Sequence, residues 1–184
     1  MSKAVMLSIR PKWCEKIASG EKTIEVRKTR PKLETPFKCY IYCTSGRPDL
    51  NIPISPERLM QDYLDTGSMK SLNCPLGNGK VIGEFMCYAT IPISVEYSGP
   101  SHRITGMTDK QIIDYLGNGK MGYGWHISDL KIYDKPRELR EFKKSNRDCF
   151  YADLGLAKRD CPDCKNSGCF LERPPQSWCY VEEG

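Results

Sequence analysis

Ile9-Arg10-Pro11-Lys12-Trp13-Cys14-Glu15-Lys16-Ile17-Ala18-Ser19-Gly20-Glu21-Lys22-Thr23-Ile24-Glu25-Val26-Arg27-Lys28 is the most informative stretch of this 184-residue chain. The β-branched run Val5 to Ile9 before it reads as a strand. Pro11 suits a first helical turn, Trp13, Ile17 and Ala18 follow at helical spacing, and Gly20 stops the helix. Thr23 to Arg27 then alternates strictly, so a strand there sends Ile24 and Val26 into the core and groups Thr23, Glu25 and Arg27 on the other face.

Outward from this segment, residues 28–37 are basic and proline-containing, a loop, and Lys38 to Cys43 is a strand. Ser55 is placed to cap a helix beginning at Pro56. Gly77-Asn78-Gly79 is a turn feeding strands at Lys80 to Tyr88 and Ile91 to Val95. Thr108 is placed to cap a helix, Asp109 to Leu116, closed by Gly117. Strand-like residues return from Tyr123 to Tyr133, Asp134-Lys135-Pro136 opens a turn or short helix through Phe142, and Trp178 to Val181 is a last strand. Short strands that outnumber helices, without crossovers of the length parallel βαβ units need, predict an α+β fold: a small mixed β-barrel flanked by short helices. The length suits one domain, 1–184, with the polar, Cys-, Gly- and Pro-rich segment 145–177 inserted before the final strand.

Net charge is +5, and residues 1–32 hold nine Lys and Arg against three Glu, whereas the other 152 residues are nearly neutral. A localised basic stretch suits either a phosphate-bearing partner or a solvated face. The longest uncharged run, Phe85 to Val95, is eleven residues and contains Pro92, far from the roughly 20 a membrane-spanning helix needs. The start of the chain lacks a signal-peptide core, so a cytoplasmic protein is expected.

Ten cysteines without a secretion signal read as metal ligands or buried thiols. Cys14, Cys39, Cys43, Cys74 and Cys87 lie in hydrophobic contexts and read as core residues. Cys149, Cys161, Cys164 and Cys169 offer four thiolates, the number and type of a structural zinc site, with a redox CxxC or free thiols as the alternatives. Gly-Asn-Gly-Lys at 77–80 and 117–120 lacks the Walker spacing and reads as two tight turns. With only His102 and His126, a multi-histidine metal centre is excluded, and His126 next to Trp125 suits a structural hydrogen bond.

Gly20-x-Lys22 followed after four residues by Arg27 resembles the signature of the ASCH family, a branch of the PUA-like fold. Lys80-Val81-Ile82-Gly83-Glu84-Phe85 is similar to that family's central strand, Gly124-Trp125-His126-Ile127 to a later one, and Arg173 to Tyr180 to the ending of bacterial or phage-type members. The resemblance implies a PUA-like barrel that binds single-stranded RNA or a nucleoside or nucleotide. The cleft would lie between residues 11–30 and the strand around Trp125. Its residues supply chemistry for that: Glu25 and Arg27 pair an acceptor with a donor for a base edge, and Lys22 neutralises negative charge. Lys12, Lys28 and Arg30 reach the backbone, and Trp13 either stacks on a base or joins the core. Two other functions follow from the same residues. As a hydrolase of RNA or a modified nucleoside, the chain would use Lys22 and Glu25 as acid and base. Members acting on acylated cytidine carry a Thr where Glu25 stands, so that nucleophile is missing here. Alternatively, a zinc-stapled loop would bind a partner protein.

Overall fold

The computed structural model describes residues 2–45, 78–94, 104–145 and 170–184. The expected helix after Ser55, Cys74 and the four clustered cysteines with their zinc site lie outside these residues. The elements in chain order are β1 (Lys3–Ile9), α1 (Pro11–Ala18), β2 (Ile24–Arg27), β3 (Phe37–Cys43), β4 (Lys80–Cys87), β5 (Thr90–Ile93), α2 (Asp109–Leu116), β6 (Gly122–His126), β7 (Ser128–Arg137) and β8 (Trp178–Glu182).

The strands form two sheets. One runs β7-β4-β3-β1-β8 and the other β2-β6-β5, with β1 and β3 parallel and the remaining pairs antiparallel. Two long chain segments pass through both. β4 turns into β5 after Tyr88 and Ala89, and β6 turns into β7 at Ile127, so each pair of segments hydrogen-bonds in both sheets. At the corner the His126 amide donates to the Ala89 carbonyl at 3.0 Å and the Ile127 amide to Thr23 at 2.8 Å.

The mixed α+β character is as expected, but the strands of the described residues do not close into a barrel. The reason lies at β2, an edge strand of its sheet. Beyond it comes no backbone ladder but a side chain: the Arg27 guanidinium crosses to the Ser8 carbonyl of β1 at 2.8 Å and to the Ser177 carbonyl just before β8 at 3.2 Å. A second difference is at Asp134, Lys135 and Pro136, which stay in β7, while the short 3-10 turn falls at Leu139–Glu141. β7 is an edge strand, where a proline's missing N–H costs no ladder bond.

The largest core cluster joins Val5, Leu7, Cys39, Ile41, Ile82 and Phe85 of the five-stranded sheet to Trp125 of the smaller one. Cys14, Cys39, Cys43 and Cys87 are buried, as their contexts suggested. On its other face the small sheet holds α2 through Ile24, Val26, Ile93, Ile112 and Leu116. Gly122 and Gly124 make this close approach attainable, since a Cβ at 124 would stand 2.6 Å from Ile93 and 2.7 Å from Ile24. α2 starts at a capping box between Thr108 and Gln111, the boundary its sequence predicts.

Trp125 is fully buried, edge-on to Phe37 at 5.7 Å and 6.0 Å from Trp178. Trp125→Ala is therefore expected to lower the unfolding free energy in urea by about 3–5 kcal/mol; an unchanged midpoint would deny it this wedging role.

Candidate functional site

α1 ends at Ala18, and Gly20, with φ +79°, reverses the chain so that the Lys22 amide reaches the Lys16 carbonyl at 2.9 Å. A left-handed φ of this size is one that glycine adopts without steric cost. The turn delivers Lys22 inward, where it is only 1% exposed. The segment 104–107 lies over it: Thr23 N–H donates to the Ile104 carbonyl, and Lys22 Nζ to the Thr105 carbonyl at 2.6 Å. A Cβ at Gly106, where φ is +64°, would sit 3.6 Å from the Lys22 side chain.

β2 puts Glu25 and Arg27 on one face, as its alternation predicts, and both are buried rather than solvated. Glu25 joins the two cations: Oε2 is 3.4 Å from Lys22 Nζ and Oε1 is 2.9 Å from Arg27 Nη2. Ser177 fixes the other guanidinium arm through its carbonyl and its hydroxyl, at 3.2 and 3.3 Å. Arg27 Nε is buried without a partner among the described residues. Burial pushes the Lys22 amine below its ordinary value, Glu25 opposes that shift, and Arg27 and Lys16 add to it. Two cations share one carboxylate, so the trio itself carries excess positive charge.

The trio lines a cavity of about 860 Å³. Trp13 and Tyr115 contribute aromatic walls, Arg10, Lys12 and Lys28 further cations, and residues 174–177 the opposite side. Lys12 and Lys22 both approach the Trp13 ring, at 5.1 and 5.2 Å, and Lys28 lies 5.5 Å from the centre of Tyr115. Trp13 packs against two core clusters and also lines the cavity.

Of the residues expected at the site, Lys12, Trp13, Lys22, Glu25, Arg27 and Lys28 are brought together in the cavity lining. Trp125 is not: directly opposite Glu25 in the sheet, it turns into the core instead. Arg30 borders a separate concavity. His126 is exposed and pairs with the Ser128 hydroxyl at 2.9 Å, the structural bond its context suggested. Ser8, Thr105 and Ser177 carry no signal in the sequence, because their main-chain carbonyls do most of the holding. Among the described residues no group of His, Cys, Asp or Glu is arranged to hold a metal ion.

Comparison with known proteins bears on the fold. The structure of ASCH from Zymomonas mobilis superimposes with a TM-score of 0.57 at 16% identity, covering 98% of this chain and 88% of that one. A mutant of the same protein gives 0.56 at 16% identity, with 99% and 92% covered. The fold is an ASCH fold. No family model matches the sequence, and no curated protein does. At 16% identity the fold is what is shared. Within the ASCH fold of this chain, the glycine turn and the short strand after it build the buried trio.

Removing the shared carboxylate strands two charges, whereas removing Lys22 leaves Glu25 and Arg27 paired. Glu25→Gln is thus expected to cost about 3–5 kcal/mol in chemical denaturation and Lys22→Met distinctly less; the reverse order would refute the shared-anion arrangement. The lowered Lys22 pKa also has a sign. Between that value and the ordinary 10.5 the unfolded chain holds more protons at this position, so stability gains from rising pH there. The stability difference between wild type and Lys22→Met should shift in favour of wild type as pH rises through that window, measured by urea melts at stepped pH.

Proposed function

We propose that this chain binds single-stranded RNA, or a nucleoside or nucleotide, in the cavity floored by Lys22, Glu25 and Arg27. The observation that carries this reading is a buried Lys–Glu–Arg relay with excess positive charge on the floor of an aromatic-walled cavity. Its volume falls in the range of about 300–1,000 Å³ typical of small-ligand sites. Each carboxylate oxygen of Glu25 has a cation on it and a second lone pair to offer a base amino group, while Trp13 and Tyr115 offer π-faces. Lys12 and Lys28 supply charge for phosphate. The ASCH fold of the structural neighbours agrees with a nucleic-acid-binding role. No helix among the described residues is long and apolar enough to cross a membrane.

A second reading, hydrolysis of RNA or a modified nucleoside at the same place, draws support from one observation: Lys22 is a buried amine with a lowered pKa beside a carboxylate, the kind of pair that serves as acid and base. Turnover retained in Lys22→Met would eliminate it.

Binding is tested by titrating short single-stranded RNA and nucleotides at stepped ionic strength. Affinity should fall with salt, Lys12→Ala and Lys28→Ala should each flatten the log–log slope by about one, and Trp13→Ala should cost about 1–3 kcal/mol. Absence of binding at low salt overturns the reading.

A further inference from the structure

The loop after β2 serves two concavities. Lys28 and Thr29 line the main cavity, while Arg30, Pro31, Lys32, Leu33 and Glu34, with Thr90 of β5, line a second one of about 440 Å³. Lys28 and Arg30 are two residues apart, so their Cα atoms lie within about 7 Å of each other.

Sheet register places the second concavity on the same face as the trio. Glu25, Trp125 and Thr90 form one cross-strand row, and Arg27, Tyr123 and Pro92 the next. Directly paired residues present their side chains to one face. That face is covered at Trp125 by the core of the five-stranded sheet, so what the two concavities share is the exposed loop from Lys28 to Arg30. Arg30 extends from this loop, its guanidinium carbon 5.4 Å from the centre of Tyr123 and Nη1 3.5 Å from Thr90 Oγ1. The loop is held in place rather than loosely tethered: Trp178 Nε1 donates to Thr29 Oγ1 at 3.0 Å, and the Lys32 amide donates to the Tyr180 hydroxyl at 2.8 Å.

We propose that the ligand of the main cavity is one nucleotide of a single strand, and that the adjoining nucleotide lies in the second concavity with its phosphate against Arg30 and Lys32. This rests on the nucleic-acid reading of the main cavity and narrows it, from nucleosides and strands alike to strands of two or more nucleotides. The juxtaposition that carries it is two cationic concavities sharing one fixed, exposed loop. The planar guanidinium held over Tyr123 is suited to a phosphate or a base plane, and Lys32 adds a second charge.

The test compares the four nucleoside 5′-monophosphates with RNA oligomers of two to six nucleotides at fixed low salt, by calorimetry, on wild type, Arg30→Gln, Arg30→Lys, Lys32→Gln and Lys22→Met. Arg30 and Lys32 are exposed, and a thermal melt of each variant confirms folding. Oligomers should bind at least tenfold tighter than the best monophosphate. Arg30→Gln and Lys32→Gln should each lose threefold or more on oligomers only, Arg30→Lys should recover part of the loss, and Lys22→Met should weaken both classes. Oligomers binding no tighter than monophosphates, or Arg30→Gln binding both classes like wild type, would overturn the proposal while leaving the main-cavity reading intact. If neither class binds wild type, both readings fall together.

Discussion

One carboxylate shared between two buried cations is the constraint on which the rest of this structure turns. Glu25 stands between Lys22 and Arg27 with all three side chains almost wholly removed from water. A lone buried charge is costly, and a pair often only breaks even against its own desolvation. Three charges are sustainable here because each cation also finds main-chain oxygens: Thr105 for Lys22, Ser8 and Ser177 for Arg27. Hydrogen bonds from charged donors to fixed carbonyls are among the stronger ones proteins make.

Those carbonyls come from β1, from the segment leading into α2 and from the residues just before β8. The trio thereby stitches together parts of the chain far apart in sequence, and it does so where the two sheets lack a continuous ladder. The guanidinium that lines the cavity also spans the seam. Cavity electrostatics and fold stability are coupled at this point, because a charge that lines the cavity is the one that bridges β2 to β1.

The sequence revealed much of this and missed the rest for identifiable reasons. The helix at 109–116 is readable because its Thr108 cap and closing glycine are local signals. The Gly20 turn and the alternation of β2 likewise gave the shared face of Glu25 and Arg27. What alternation does not reveal is whether a polar face meets water or another layer, so the burial of that face emerged only from the assembled sheets. Trp125 illustrates the same gap: it shares its face with Glu25, yet packing against Phe37 and Trp178 takes it into the core. The carbonyls of Ser8, Thr105 and Ser177 leave no trace in residue type, since every residue has one.

The cations around Trp13 bear on how a base would enter the cavity. Lys12 and Lys22 both lie near its ring. Lys22 is fixed by Thr105 and Glu25. Lys12 sits on a flexible stem at the start of α1, and its contact with the ring is of the partly exposed kind worth about 0.5–1 kcal/mol. Stacking a base on an aromatic ring is worth about 1–3 kcal/mol. On the proposed reading, that exchange would favour the base, and the lysine would remain beside a ligand whose phosphate is its better electrostatic partner. On the proposed reading, the side chain that lies near the tryptophan would also be placed to hold the backbone of a bound strand.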